Sequence, residues 1–172
     1  YFRGNVDNPE ELAGGFPKSR EELYQYRALI LGSVEAAAFT PDQLRMIGEV
    51  VNRRGGGLLA LGGRRAFDEG EYAGTPVAEV LPVVLGDRNA GAVKGEEEQF
   101  SQLAVEPTRE GLLHSALQIA ATERDSAARW KDLPPLSSVN PIWRAKPGAT
   151  VLLTGEGSGG RTQIVLAYQR YG

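Results

Sequence analysis

The chain has 172 residues, 19 Lys+Arg against 22 Asp+Glu for a formal net charge of −3, a single His and no Cys. This length suits one ordinary domain, which typically buries roughly 70% of its unfolded surface without covalent staples. The missing cysteines exclude disulfides, thiolate metal sites and a Cys nucleophile, the lone His excludes a multi-His metal centre, and the slight acidity makes nucleic acid a poor partner.

The chain carries 22 Gly, close to double the usual ~7%, and that excess calls for an address. No window approaches the ~18 consecutive apolar residues of a membrane span, and no basic-then-apolar leader opens the chain, so these residues are not expected to insert into a membrane. Starting at Tyr1-Phe2 with Met46 as the one methionine, the sequence reads as a single domain over 1–172 excised from a longer protein.

Residues 1–22 are rich in Asn, Pro, Gly and charge and read as an irregular lead-in ending in one turn of helix near Pro17 to Leu23. Residues 27–31 form a short apolar run stopped by Gly32-Ser33, the pattern of a strand buried on both faces. Thr40-Pro41-Asp42-Gln43 then places Thr at an N-cap, Pro at the first helical position and Gln three residues after the cap. Leu44, Ile47, Val50 and Val51 fall on one side of the helix that follows, with Asp42, Arg45, Glu49 and Arg53 mostly on the other. Gly55, Gly56 and Gly57 end it, and residues 58–61 give a second buried strand stopped by Gly62-Gly63. Strand, capped helix and strand within about 30 residues predict a βαβ unit with parallel neighbours.

Residues 64–74 are too polar and glycine-broken for a regular element, and Thr75-Pro76 starts a short helix that Pro82 ends after Leu81. A strand is expected over 100–105, and residues 112–130 have helical composition interrupted near Thr122. Residues 133–141 make a proline-rich loop. Residues 150–154 and 163–168 read as the two arms of a hairpin around the glycine-rich stretch 155–160.

Four features could carry chemistry. Residues 155–162 fit a phosphate loop by spacing, but Arg161 replaces the required Lys and a strand follows where a helix is needed, so a hairpin tip is the better reading. Glu96-Glu97-Glu98 point in different directions and read as a solvated turn. His114 has no Cys partner and no Gly-x-Ser-x-Gly elbow to serve, and reads as satisfying a local hydrogen bond. Gly62-Gly63-Arg64-Arg65 follows a strand, where open α/β sheets bind ligands; with Gly32-Ser33 it forms a rim where backbone donors and arginines could hold a small anion.

Residues 26–33, then Phe39 to Leu44, then Arg54 to Gly63 resemble the class I glutamine amidotransferase-like superfamily. Specifically, they are similar to the glutamine amidotransferase domain of large membrane-anchored bacterial proteins that often also carry a von Willebrand type A domain. Phe67, Gly70, residues 72–76, Leu81-Pro82 and residues 146–150 continue the pattern. The resemblance implies a flavodoxin-like, Rossmann-like three-layer α/β sandwich with a mostly parallel central sheet, closed here by the C-terminal β-hairpin. It also implies a parent in the bacterial cell envelope with this domain on the extracytoplasmic side.

In such amidotransferases a Cys sits on the elbow after a central strand and a His-x-Glu pair follows later. The elbow position here is Gly62, and His114 is followed by Ser115-Ala116, so both the nucleophile and the positioned base are missing. The expectation is a non-catalytic domain for binding or assembly, with Gly32, Ser33, Gly62, Gly63, Arg64 and Arg65 as its ligand-binding candidates. No catalytic residue, metal or cofactor is expected. Expected partners are a small anionic ligand, other domains of the parent chain or a second copy. The alternative is a Cys-independent hydrolase or transferase working at the same rim with Arg64, Arg65, Glu69 or His114.

Overall fold

Local capping signals decide where the first elements form in the computed structural model, which describes residues 14–86, 102–156 and 162–171. Ser19 accepts a bond from the Glu22 amide and opens α1 (Arg20–Leu23), a single turn. β1 (Ala28–Leu31) follows, then a 3-10 turn over Ala36–Ala38. At α2 (Pro41–Asn52) the capping box is complete: Thr40 Oγ1 accepts from the Gln43 amide at 3.2 Å, and Gln43 Oε1 accepts from the Thr40 amide at 2.9 Å. The Gln43 side-chain amide also donates to the carbonyls of Phe16 and Pro17, tying the preceding segment to the helix start.

Of the expected apolar face, α2 buries Ile47 and Val50 and half-buries Leu44 and Val51; it also buries Met46, which is not part of that expected face, and Glu49, at 5% exposure. The expected solvated position fails because Arg20 reaches over from α1: its Nε lies 2.6 Å from one carboxylate oxygen and Nη2 3.1 Å from the other, with Arg53 adding a contact at 3.4 Å. A carboxylate stays buried only when paired in this way.

β2 (Gly57–Ala60) runs parallel to β1, with Leu29 opposite Leu58 and Leu31 opposite Ala60. α3 (Pro76–Val80) starts at Thr75, whose Oγ1 accepts from the Ala78 amide. Its last carbonyls find side-chain donors from far along the chain, Lys146 Nζ to Ala78 and Glu79, and Gln169 Nε2 to Val80 and Leu81. β3 (Ala104–Pro107) lies slightly later than the expected 100–105 strand. The helical stretch splits into α4 (Arg109–Leu113), a 3-10 turn over Ser115–Leu117 and α5 (Glu123–Lys131), with Thr108 and Thr122 as N-caps. β4 (Thr150–Glu156) and β5 (Thr162–Tyr168) close the chain as an antiparallel pair with Thr154 opposite Ile164.

The sheet architecture corrects the flavodoxin-like, Rossmann-like expectation. The described residues form a mixed α/β fold with a two-stranded parallel sheet, β1-β2, and a separate three-stranded antiparallel sheet ordered β3-β4-β5. A third parallel strand needs a further crossover of a dozen or more residues. Among the described residues, the chain after the five-residue α3 instead passes Pro82 and makes an isolated antiparallel bridge, Val83 with Ala145. β4 is then paired on both sides, antiparallel to β3 and to β5, which form the outer strands of this sheet.

The expectation that both early strands are buried on both faces also fails. Leu31, Leu29 and Leu58 pack with Ile47, Tyr72 and Val77 under α2 and α3. On the other face Ile30 is 68% exposed and Leu59 46%, because no described element covers it. A second cluster of Leu81, Val83, Ile142 and Ile164, joined by Leu58 and Ala60, connects the two sheets.

Candidate functional site

Parallel pairing carries the ends of β1 and β2 to one place. The Leu61 amide donates to the Leu31 carbonyl at 2.8 Å, which sets Gly32-Ser33 beside Gly62-Gly63. Ser33 Oγ accepts from the Arg65 backbone amide at 3.0 Å. The approach is close enough that a Cβ on Gly63 would lie 2.6 Å from both Cβ and Oγ of Ser33, so only glycine fits there.

The organiser of this rim is Asn140. It is 9% exposed, and its Oδ1 accepts from the Gly63 amide at 2.8 Å while its Nδ2 donates to the Gly63 carbonyl at 3.0 Å and to Glu69 Oε2 at 2.9 Å. The same carbonyl also accepts from the Ala66 amide at 3.1 Å. Gly63 therefore spends both its backbone groups inside the protein. A Cβ on Gly62 would meet Asn140 Oδ1 at 2.6 Å and Phe67 Cε2 at 3.8 Å, so the place a nucleophile-bearing side chain would take is filled by the asparagine.

The structure thus brings Gly32, Ser33, Gly62, Gly63, Arg64 and Arg65 together and gives them different tasks. Arg65 is anchored, its backbone on Ser33 and its guanidinium 3.5 Å from the Glu35 carboxylate. Arg64 is exposed and makes no ion pair among the described residues. The loop holding both is tied to the segment after β1: the Gly70 carbonyl accepts from the Ala36 amide, and the Tyr72 hydroxyl donates to the Val34 carbonyl at 2.9 Å. Burial pushes the Tyr72 hydroxyl pKa up. It also raises the Asp68 carboxyl, against the lowering effect of the bond it accepts from the Gly86 amide. Phe67 and Glu71 have φ of 53° and 59°, left-handed conformations that side chains other than glycine adopt at a cost.

Beside this rim lies a cavity of about 410 Å3, walled by β2, β5, residues 81–83 and the loop 136–142, with Gly62, Gly63 and Arg64 also in its lining. Its size is ordinary for a ligand pocket. His114 does not line it. Its Nδ1 accepts from the Ala116 amide at 3.2 Å and its ring lies 4.9 Å from that of Tyr168, the local role its sequence context predicts. Glu69 reaches the rim only through Asn140. Glu96 to Glu98 and the tip 157–161 lie outside the described residues. No cluster of three or more metal-ligating side chains occurs among the described residues, and no helix among them is long and apolar enough to cross a membrane. Sequence reasoning missed Asn140, because its only local signal, an Asn before Pro141, reads as a turn.

No protein-family model matches the chain. No curated protein matches it significantly. Among solved structures it is similar to one described as cytoplasmic protein STM3548 from Salmonella typhimurium, with a TM-score of 0.63 and 22% identity over 91% of this chain. The chain spans 60% of the length of that protein. At this identity the likeness concerns the fold alone.

Proposed function

We propose that the chain is a non-catalytic domain with a binding or assembly role, a relative of the amidotransferase-like domains of bacterial envelope proteins that has lost their chemistry. The likeness rests on residues 26–82, and the envelope setting, with the domain on the extracytoplasmic side of a membrane-anchored parent, rests on that likeness.

The observation that carries the non-catalytic reading is the pairing of Gly62 with Asn140. Covalent catalysis needs a nucleophile beside a positioned base. At the end of β2 the elbow residue has no side chain, and Asn140 Oδ1 occupies the space a side chain would need. The backbone donor that could stabilise an oxyanion, the Gly63 amide, is already used by the same oxygen. What remains available among the described residues is a mostly apolar cavity lined in part by Arg64, which makes no ion pair there. That combination binds through burial and charge and makes no bond.

The test is an assay of the purified chain for hydrolysis of glutamine, simple esters and phosphate esters, followed by melting with acetate and phosphate. The expected result is no turnover above buffer and a melting temperature raised by anions in the native chain but not in Arg64→Gln. Turnover that survives purification and is lost in His114→Ala would establish the competing Cys-independent enzyme instead.

A further inference from the structure

We infer that the cavity seats an extended peptide segment with an apolar C-terminal end, which adds to the edge of β2 that no described strand pairs, as a third parallel strand, and sets its terminal carboxylate beside Arg64. This rests on the binding reading above and specifies its ligand.

The geometry of β2 carries the argument. The Gly57 amide donates to the Arg27 carbonyl at 3.1 Å and the Leu61 amide to the Leu31 carbonyl at 2.8 Å, so alternate residues 57, 59 and 61 turn their backbone groups toward β1. Backbone groups alternate direction along a strand, so those of Leu58 and Ala60 turn the other way. Both residues line the cavity, and no described residue hydrogen-bonds to their outward amides or carbonyls. Two donors and two acceptors at strand spacing are matched by another extended backbone, the mode in which peptides add to an exposed sheet edge.

The cavity walls specify the rest. Leu136, Val139, Ile142 and Ile164 present apolar surface, which calls for apolar side chains on the incoming strand. A strand parallel to β2 ends where β2 ends, and Arg64 stands there without a carboxylate partner among the described residues, whereas the neighbouring Arg65 is paired with Glu35. A free C-terminal carboxylate complements it.

The experiment titrates the full 172-residue chain with an acetylated hexapeptide of alternating Thr and Val ending in a free carboxylate, read by NMR and amide hydrogen exchange. Saturable binding is expected, with exchange at the Leu58 and Ala60 amides slowed. Amidating the peptide's C-terminus, or Arg64→Gln in the protein, is expected to weaken binding about tenfold, the effect of losing one charge-assisted bond. N-methylating the peptide amides that face β2 is expected to weaken it at least as much. The inference is overturned if the hexapeptide shows no saturable binding, or if the N-methylated peptide or octanoate binds as tightly with exchange at Leu58 and Ala60 unchanged. In the octanoate case the cavity holds an apolar anion rather than a strand. Those failures leave the non-catalytic reading standing, which only turnover would remove.

Discussion

Asn140→Ala is the most informative single perturbation. The side chain makes three hydrogen bonds, two to Gly63 and one to Glu69, and lies at the joint between residues 62–69 and the loop 136–142. A typical intramolecular hydrogen bond contributes about 1 kcal/mol net, and a buried partner left unsatisfied costs more. The Gly63 carbonyl keeps its bond from Ala66, and the Glu69 carboxylate can turn to water, so the Gly63 amide is the group most harmed. The expected loss is about 2–3 kcal/mol, which for a chain of this size lowers the melting temperature by roughly 5–10 °C. Urea unfolding followed by circular dichroism measures it directly. Gly62→Ala sharpens the test: its new Cβ meets Asn140 Oδ1 at 2.6 Å, so the substitution is costly in the native chain and cheaper once Asn140 is alanine. The double variant should therefore be more stable than the sum of the singles predicts, by about 0.5–3 kcal/mol. Additive effects, or an Asn140→Ala loss below about 0.5 kcal/mol, would refute the role given to this residue.

Two further substitutions test the frame that presents the site. Thr40→Ala removes the cap of α2 and should cost about 1–2 kcal/mol, while Thr40→Ser should retain most of it; equal losses in denaturant unfolding would count against the capping box. The Arg20 hydrogen bond, together with the charges of Arg20, Arg53 and Arg45, holds the Glu49 carboxyl below its ordinary value of 4.5 despite burial. A depressed carboxyl contributes stability that is full above pH 4.5 and is lost as pH falls through its lower folded value. Glu49→Gln should therefore be less stable at neutral pH and show a shallower decline in urea midpoint below pH 4.5; an unchanged acid slope would contradict the pairing.

What could be read in the sequence is what short-range chemistry fixes. Thr40 and Thr75 announce their helices because a cap and a proline at the first helical position act within four residues. The parallel β1-α2-β2 unit follows from two apolar runs bracketing one capped helix. Thr108 and Thr122 cap α4 and α5 without a following proline, so their signal is weaker, although Thr122 and Asp125 have the Thr-x-x-Asp spacing of a helix start. The sheet count lay beyond such signals, because nothing local in residues 82–86 or 104–107 decides whether a strand joins β2 or β4. A four-residue apolar run likewise cannot reveal whether both its faces are covered, which is why Ile30 and Leu59 read as buried. At the site, the glycines and arginines were visible as a cluster after a strand. Asn140 was not, since it acts on Gly63 across 77 residues of sequence.

Glutamine hydrolysis by the native chain and by Gly62→Cys, followed as ammonia release, tests the non-catalytic reading most directly. Restoring a thiol at the elbow does not restore a base beside it, and the new side chain must displace Asn140 Oδ1. The account predicts no ammonia above buffer from either protein. Sustained release from the native chain, abolished by His114→Ala, would contradict it.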